Sequence, residues 1–168
     1  MTSNSKSRTP ASTHKKVIVA LLDGSTIRGY LPASGLGLAT SLDVLTPDGE
    51  HRALELERVR CVYFVREFSE KYEPERKTFL SRPKLEGLWL RVRFPDGEAY
   101  EGIIANDLRD LLENGVQLTP PDLHGNALRI FVPRTSCSEV KVMGVVGLAR
   151  KTGRGAPVPA GQTKLFEE

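Results

Sequence analysis

Apolar residues alternate with other residues ahead of two Asp-Gly pairs. Val17, Val19 and Leu21 precede Asp23-Gly24, and Leu90, Val92 and Phe94 precede Asp96-Gly97. A period of two is that of a half-buried strand. Asp-Gly suits the tight hairpin that follows, because glycine takes positive φ without steric cost. The strand after each turn carries a glycine at the same offset, Gly29 in I-R-G-Y-L and Gly102 in Y-E-G-I-I. A constant shift of 73 residues carries Asp23 onto Asp96 and Leu45-Thr46-Pro47 onto Leu118-Thr119-Pro120. Beyond these come A-L-E-L-E and C-V-Y-F-V in the first copy, A-L-R-I-F-V and E-V-K-V-M in the second. Each copy therefore predicts about five short strands, enough to curl into a small closed barrel. The expected fold is mainly β, a tandem repeat of two such barrels.

The copies differ where a crossover is expected. The first has A-S-G-L-G-L-A-T-S, whereas N-D-L-R-D-L-L-E-N-G in the second puts Leu108, Leu111 and Leu112 on one face of a short helix. Asn106 or Asp107 can cap its start and Gly115 can end it. The second copy also gains L-H-G-N before its fourth strand, a turn long enough to carry contacts. The expected organisation is a disordered tail at 1–13, a first barrel at 14–68, a linker at 69–85, a second barrel at 86–148 and a flexible tail at 149–168. The linker is mixed in charge and holds two prolines, and its Phe79 and Leu80 could dock on a barrel. Units of some 60 residues have marginal cores, which favours packing of one barrel on the other, with Trp89 as a candidate for the seam.

Composition narrows the class. Hydrophobic residues at 39% and charged residues at 27% are ordinary for a globular chain. A formal charge of +3 sets up no field that demands a polyanion. The N-terminus lacks an apolar signal segment and no apolar run is long enough to cross a bilayer. Cys61 and Cys137 are too few for a disulfide framework, so two reduced thiols in a cytoplasmic protein are expected.

Catalytic signatures are missing from the pattern. His14, His51 and His124 have no partner at metal-ligand spacing. The glycine-rich pieces match neither a phosphate-binding loop nor a dinucleotide fingerprint. Asp107 and Asp110 lie at helical spacing beside Arg109 and read as a solvated face. A non-enzymatic chain without cofactor or metal is the expectation. Basic residues gather from the end of the first copy into the second, and Arg58, Arg60, Arg66, Lys77, Arg91 and Arg93 are candidate nucleic-acid contacts.

Several resemblances bear on these expectations. V-I-V-A-L-L-D-G-S-T-I-R-G-Y-L resembles the opening strand pair of Sm-like RNA-binding proteins, which implies small SH3- or Sm-like barrels. The base-contacting residues of that family have no counterpart between Pro32 and Ser41. Asp23 to Gly29 resembles the strand of cyclic-dinucleotide-binding PilZ barrels, but its glycine stands one place late and the Arg150 to Arg154 arm comes after it. P-D-G-x-x-x-x-G, N-D-L, G-V-Q-L-T-P-P-D and N-A-L-R-I-F-V-P-R, between Pro95 and Arg134, resemble a bacterial domain family of unassigned function.

The last of them is Q-T-K-L-F, which resembles the bacterial sliding-clamp-binding pentapeptide through Gln162, Leu165 and Phe166. An apolar pair in a polar terminus suits burial in a partner's pocket; the structural alternative is that Leu165 and Phe166 fold back as a plug. The functional expectation is an adaptor that recruits a protein partner through this motif, a sliding clamp being the partner the resemblance implies. A nucleic-acid-binding module is the competing expectation.

Overall fold

A computed structural model describes residues 13–147 except 33 and 35. Ten strands and one short helix follow in order: β1 (His14–Leu21), β2 (Thr26–Pro32), β3 (Ser41–Leu45), β4 (His51–Glu55), β5 (Val59–Val65), β6 (Gly87–Arg93), β7 (Ala99–Ile104), α1 (Leu108–Leu112), β8 (Gly115–Leu118), β9 (Ala127–Pro133) and β10 (Glu139–Val146). The fold is mainly β. A seven-stranded sheet has the order β4-β3-β2-β1-β5-β9-β8, and a three-stranded sheet has the order β10-β6-β7. An antiparallel bridge between Ile103 and Thr119 links β7 to β8, with N–H to O distances of 3.0 and 2.9 Å. With that bridge the last five strands read β9-β8-β7-β6-β10, the order of β4-β3-β2-β1-β5 with every number raised by five.

Neither sheet closes. Among the described residues no ladder joins β4 to β5 or β9 to β10, so the pairing departs from the expected pair of closed barrels. The reason lies in β5. Its outer edge pairs with β9 of the second half, through Val62 with Phe131, Tyr63 with Ile130 and Phe64 with Arg129.

That exchange explains why V-I-V-A-L and C-V-Y-F-V are nearly continuous apolar runs. Val17, Val19, Leu21, Val62 and Phe64 face one core, completed by Leu31, Leu42, Val44 and Leu54 and by Phe131 from β9. Ile18, Cys61, Tyr63 and Val65, on the opposite face, enter a second core with Leu88, Leu90, Val92, Phe94, Tyr100, Val116, Leu118 and Ile130. Strands covered on both faces lose their polar alternation. The second core is thus the seam between halves, and Trp89 is not in it. Trp89 packs edge-on against Phe79 (centroids 6.0 Å) and donates through Nε1 to Glu101 at 2.6 Å, on the outer face of the small sheet.

The turns repeat in atomic detail. Asp23 Oδ1 accepts from the Ser25 amide at 2.8 Å, and Asp96 Oδ1 from the Glu98 amide at 2.9 Å. Gly24 and Gly97 both stand at φ 89°, the left-handed region glycine supplies. At Gly29 and Gly102 the need is closeness instead: a Cβ would stand 2.7 Å from Leu45 O and 2.6 Å from Leu118 Cβ respectively.

The segment 69–85 docks more fully than a spacer. Tyr72 meets Tyr63 edge-on, Lys77 O accepts from Glu101 N at 2.7 Å, and Phe79 packs as described, while Leu80 is exposed. In α1, Asp107 caps the Arg109 amide at 3.0 Å. Leu111 alone of the three leucines packs on the core; Leu108 and Leu112 are exposed, and Gly115 opens β8 rather than ending the helix. The helix is too short to present a full apolar face.

Candidate functional site

A cleft of about 300 Å³ opens where the first half's loop meets the second half's crossover. Gln117 lies opposite Phe131 in the β8–β9 ladder. Cross-strand partners share a face, and Phe131 points to the first core, so Gln117 stands on the same face at the sheet's end. There the core gives way to the 3-10 turn Leu36–Leu38 on one side and to α1 on the other. The walls are tied together: Asn114 donates from its amide to Gly37 O at 2.6 Å and from Nδ2 to Ala39 O at 3.1 Å. A Cβ at Gly37 would overlap the Glu113 carboxylate, so glycine is what lets that carboxylate lie against the turn. Arg134 holds the helix end through Leu111 O.

The chemistry of the lining is mixed. Phe131, Leu36 and Ile103 make an apolar floor; Asp110 and Glu113 bring carboxylates, and Arg129, Thr119 and Ser34 bring donors. Gln117 Nε2 is the one fully buried side-chain nitrogen or oxygen among the described residues that has no hydrogen-bond partner. A buried donor without a protein partner, on the lining of a cleft, can take an acceptor that enters there. Of these residues only Asp110, as a solvated carboxylate, and Thr119, as part of the repeated Leu-Thr-Pro, were singled out from sequence. Gln117 and Phe131 sit inside strands whose polar-apolar pattern looks ordinary, and the signal arises only when β8 and β9 are set edge to edge.

The basic residues expected to contact nucleic acid are not brought together into one stripe. Arg60 lies 3.0 Å from Asp96 and 2.8 Å from Glu98, with its guanidinium 4.1 Å from the Phe94 ring centroid. Lys77 bonds Glu98 as well. Arg66 donates to Gly125 O at 3.2 Å and to Leu123 O at 3.3 Å, and Asn126 clasps the Arg66 and Glu67 amides, so the L-H-G-N turn does carry contacts. Arg91 is 3.5 Å from the buried Glu101, and Arg93 is 3.9 Å from Glu139. Arg58 lies beside Asp23 and helps to lower its pKa, behind the larger effect of the Ser25 hydrogen bonds. Asp23, Gly24, Gly29, Asp96, Gly97 and Gly102 occupy the turns and close approaches described above. Gln162, Leu165 and Phe166 lie outside the described residues.

Both thiols are free. Burial pushes Cys61 up to about 12 and also raises Cys137, so neither is a ready nucleophile. Among the described residues no group of three His, Cys, Asp or Glu side chains gathers as a metal set, and no helix is long and apolar enough to cross a membrane.

Residues 13–144 match the model of a family of unknown function (DUF6982), and the chain belongs to that family. The match takes in both halves, where the resemblance seen in the sequence rested on the second. No curated protein and no solved structure matches the chain.

Proposed function

We propose that this chain is a non-enzymatic binding and adaptor protein whose body holds a small polar ligand in the cleft between its halves. The observation that carries the reading is the unmet Gln117 Nε2 in a cleft that also offers charges of both signs. Such a site fits a molecule with an acceptor for Gln117 and Arg129, donors for Asp110 and Glu113, and an apolar body against Phe131. The body itself reads as a duplicated five-stranded unit related to small SH3- or Sm-like barrels. Supporting this are the shared strand order, the paired Asp-Gly turns and the 3-10 turns Leu56–Arg58 and Arg134–Ser136, which precede the fifth strand of each half. The test is a thermal-shift screen of zwitterionic and nucleoside metabolites, repeated on Gln117→Leu. A ligand that stabilises the natural chain and not the variant supports the cleft; no ligand, or equal shifts in both, removes it.

The adaptor function rests on Gln162, Leu165 and Phe166, whose spacing fits a bacterial sliding clamp. Titrating a labelled peptide of residues 155–168 with a clamp decides it: saturable binding lost on Leu165→Ala plus Phe166→Ala supports recruitment, and an unsaturated titration ends it. The competing nucleic-acid reading draws no support from Arg60, Arg66, Lys77, Arg91 and Arg93, each of which already holds a carboxylate or carbonyl.

A further inference from the structure

In the first half the edge of β5 is covered, and in the second half the matching edge of β10 has no partner strand among the described residues. The match can be made residue by residue. Val62 and Phe64 pair with Val19 and Val17; Val140 and Val142 pair with Val92 and Leu90, which are Val19 and Val17 of the second copy. Val62 is fully buried, because Phe131 comes across from β9 opposite it and fills the first core. Val140 and Val142 remain 39% and 48% exposed. With Leu111, Val116, Val132 and Cys137 they line an apolar groove of about 330 Å³. The far end of β10 is already tied, since Arg82 donates to Val145 O at 2.7 Å. Among the described residues no strand runs against that edge of β10 and delivers a phenylalanine opposite Val140.

The strand that does this for β5 carries Arg129-Ile130-Phe131, and the chain writes the pattern again as Lys164-Leu165-Phe166. Reach and direction agree. Sixteen residues separate Gly147 from Lys164, and at roughly 3.3 Å each they span far more than the five strand residues back from Gly147 to Val142. A chain returning from Gly147 along β10 runs antiparallel to it, as β9 runs to β5. The β5–β9 ladder stops at Phe131, so Glu167 and Glu168 fall beyond the matching register. A second copy fits less well. Through its β4 edge, where Arg52 pairs with Val44 as Ile130 pairs with Leu118, Arg52 would face Lys141, and like charges directly opposite destabilise a ladder; through its own β10 edge it brings no phenylalanine to set opposite Val140.

We propose that this edge and groove of β10 are the docking site for this chain's own Lys164-Leu165-Phe166, with Phe166 placed against Val140 and Val142 as Phe131 is against Val62. The segment that suits a clamp is then also the one the groove would shelter, and a partner must compete for it. The test is hydrogen exchange on the full chain and on Leu165→Ala plus Phe166→Ala, a change that touches none of the described contacts. In the natural chain the outward amides of residues 139–143 exchange slowly, and in the variant at least about tenfold faster, with β5 unchanged. Alkylation of Cys137, which lines the groove, rises in parallel. Fast exchange in both chains, or slow exchange in both, overturns the proposal. Protection that grows with protein concentration also overturns it and assigns the edge to a second copy.

Discussion

Tyr63 and Tyr100 join their hydroxyls at 2.8 Å in the core between the halves, one from β5 and one from β7, with each side chain about 1% exposed. Their rings lie edge to face at 6.3 Å. Burial holds both phenols far above their ordinary titration range, so the pair stays neutral. Tyr100→Phe takes from the buried Tyr63 hydroxyl its Tyr100 partner and should cost about 1–2 kcal/mol. Changing both to Phe should cost less than the sum of the single changes. Urea denaturation of the two singles and the double checks this; additive effects would mean that the hydroxyls do not act as a pair.

The hairpin glycines divide into two classes that stability can separate. Gly24 and Gly97 have open space around a hypothetical Cβ, and only their φ of 89° resists a side chain. Gly24→Ala and Gly97→Ala should each cost about 1 kcal/mol. Gly29 and Gly102 have ordinary backbone but face the neighbouring strand, with Leu45 O and Leu118 Cβ at 2.7 and 2.6 Å from an added Cβ. Gly29→Ala and Gly102→Ala should cost about 2–3 kcal/mol because strands must part. The reverse ranking in thermal denaturation would contradict the close approach.

Acid should weaken the fold through the same turns. Hydrogen bonds from Ser25 and Glu98 lower the Asp23 and Asp96 carboxyls, and Arg109 brings Asp107 down to about 2. A depressed carboxyl binds its proton more readily in the unfolded chain. The stability it lends is therefore present above about pH 4 and lost as pH falls through the folded value. Asp23→Asn plus Asp96→Asn keeps the turn acceptor and removes the titration, so the double variant should lose less stability between pH 4 and 2. Parallel curves for the two proteins would locate the acid sensitivity elsewhere.

The turns were legible in the sequence because their cause is local: Asp accepts from the amide two residues on, and glycine supplies the positive φ. The repeat was legible for the same reason. The exchange of edges was not, since nothing in V-R-C-V-Y-F-V says whether its partner is β4 or β9. What the run does show, once β9 is in place, is that Tyr63 and Phe64 are both inside, on opposite faces of one strand. Trp89 misled because a lone large aromatic suggests a seam, whereas Glu101 and Phe79 give it a polar and an apolar partner on an outer face. The cleft was invisible because its key atom, Gln117 Nε2, is defined by what it does not touch.

That atom supports the sharpest prediction. Gln117→Met keeps the length and apolar stem of the side chain and deletes the unmet donor. If the donor serves only the fold, its removal should matter little or harm packing. If it is held for a ligand, the free protein has been carrying its desolvation cost. Gln117→Met should then unfold at higher denaturant, by about 1 kcal/mol, while losing the ligand-induced stabilisation that the natural chain shows. Gly37→Ala is the companion change, since it displaces the Glu113 carboxylate from the opposite wall without touching Gln117. It should weaken the same ligand and leave the free protein no more stable. A Gln117→Met protein that is less stable and binds as before would return Gln117 to the status of an ordinary strand residue.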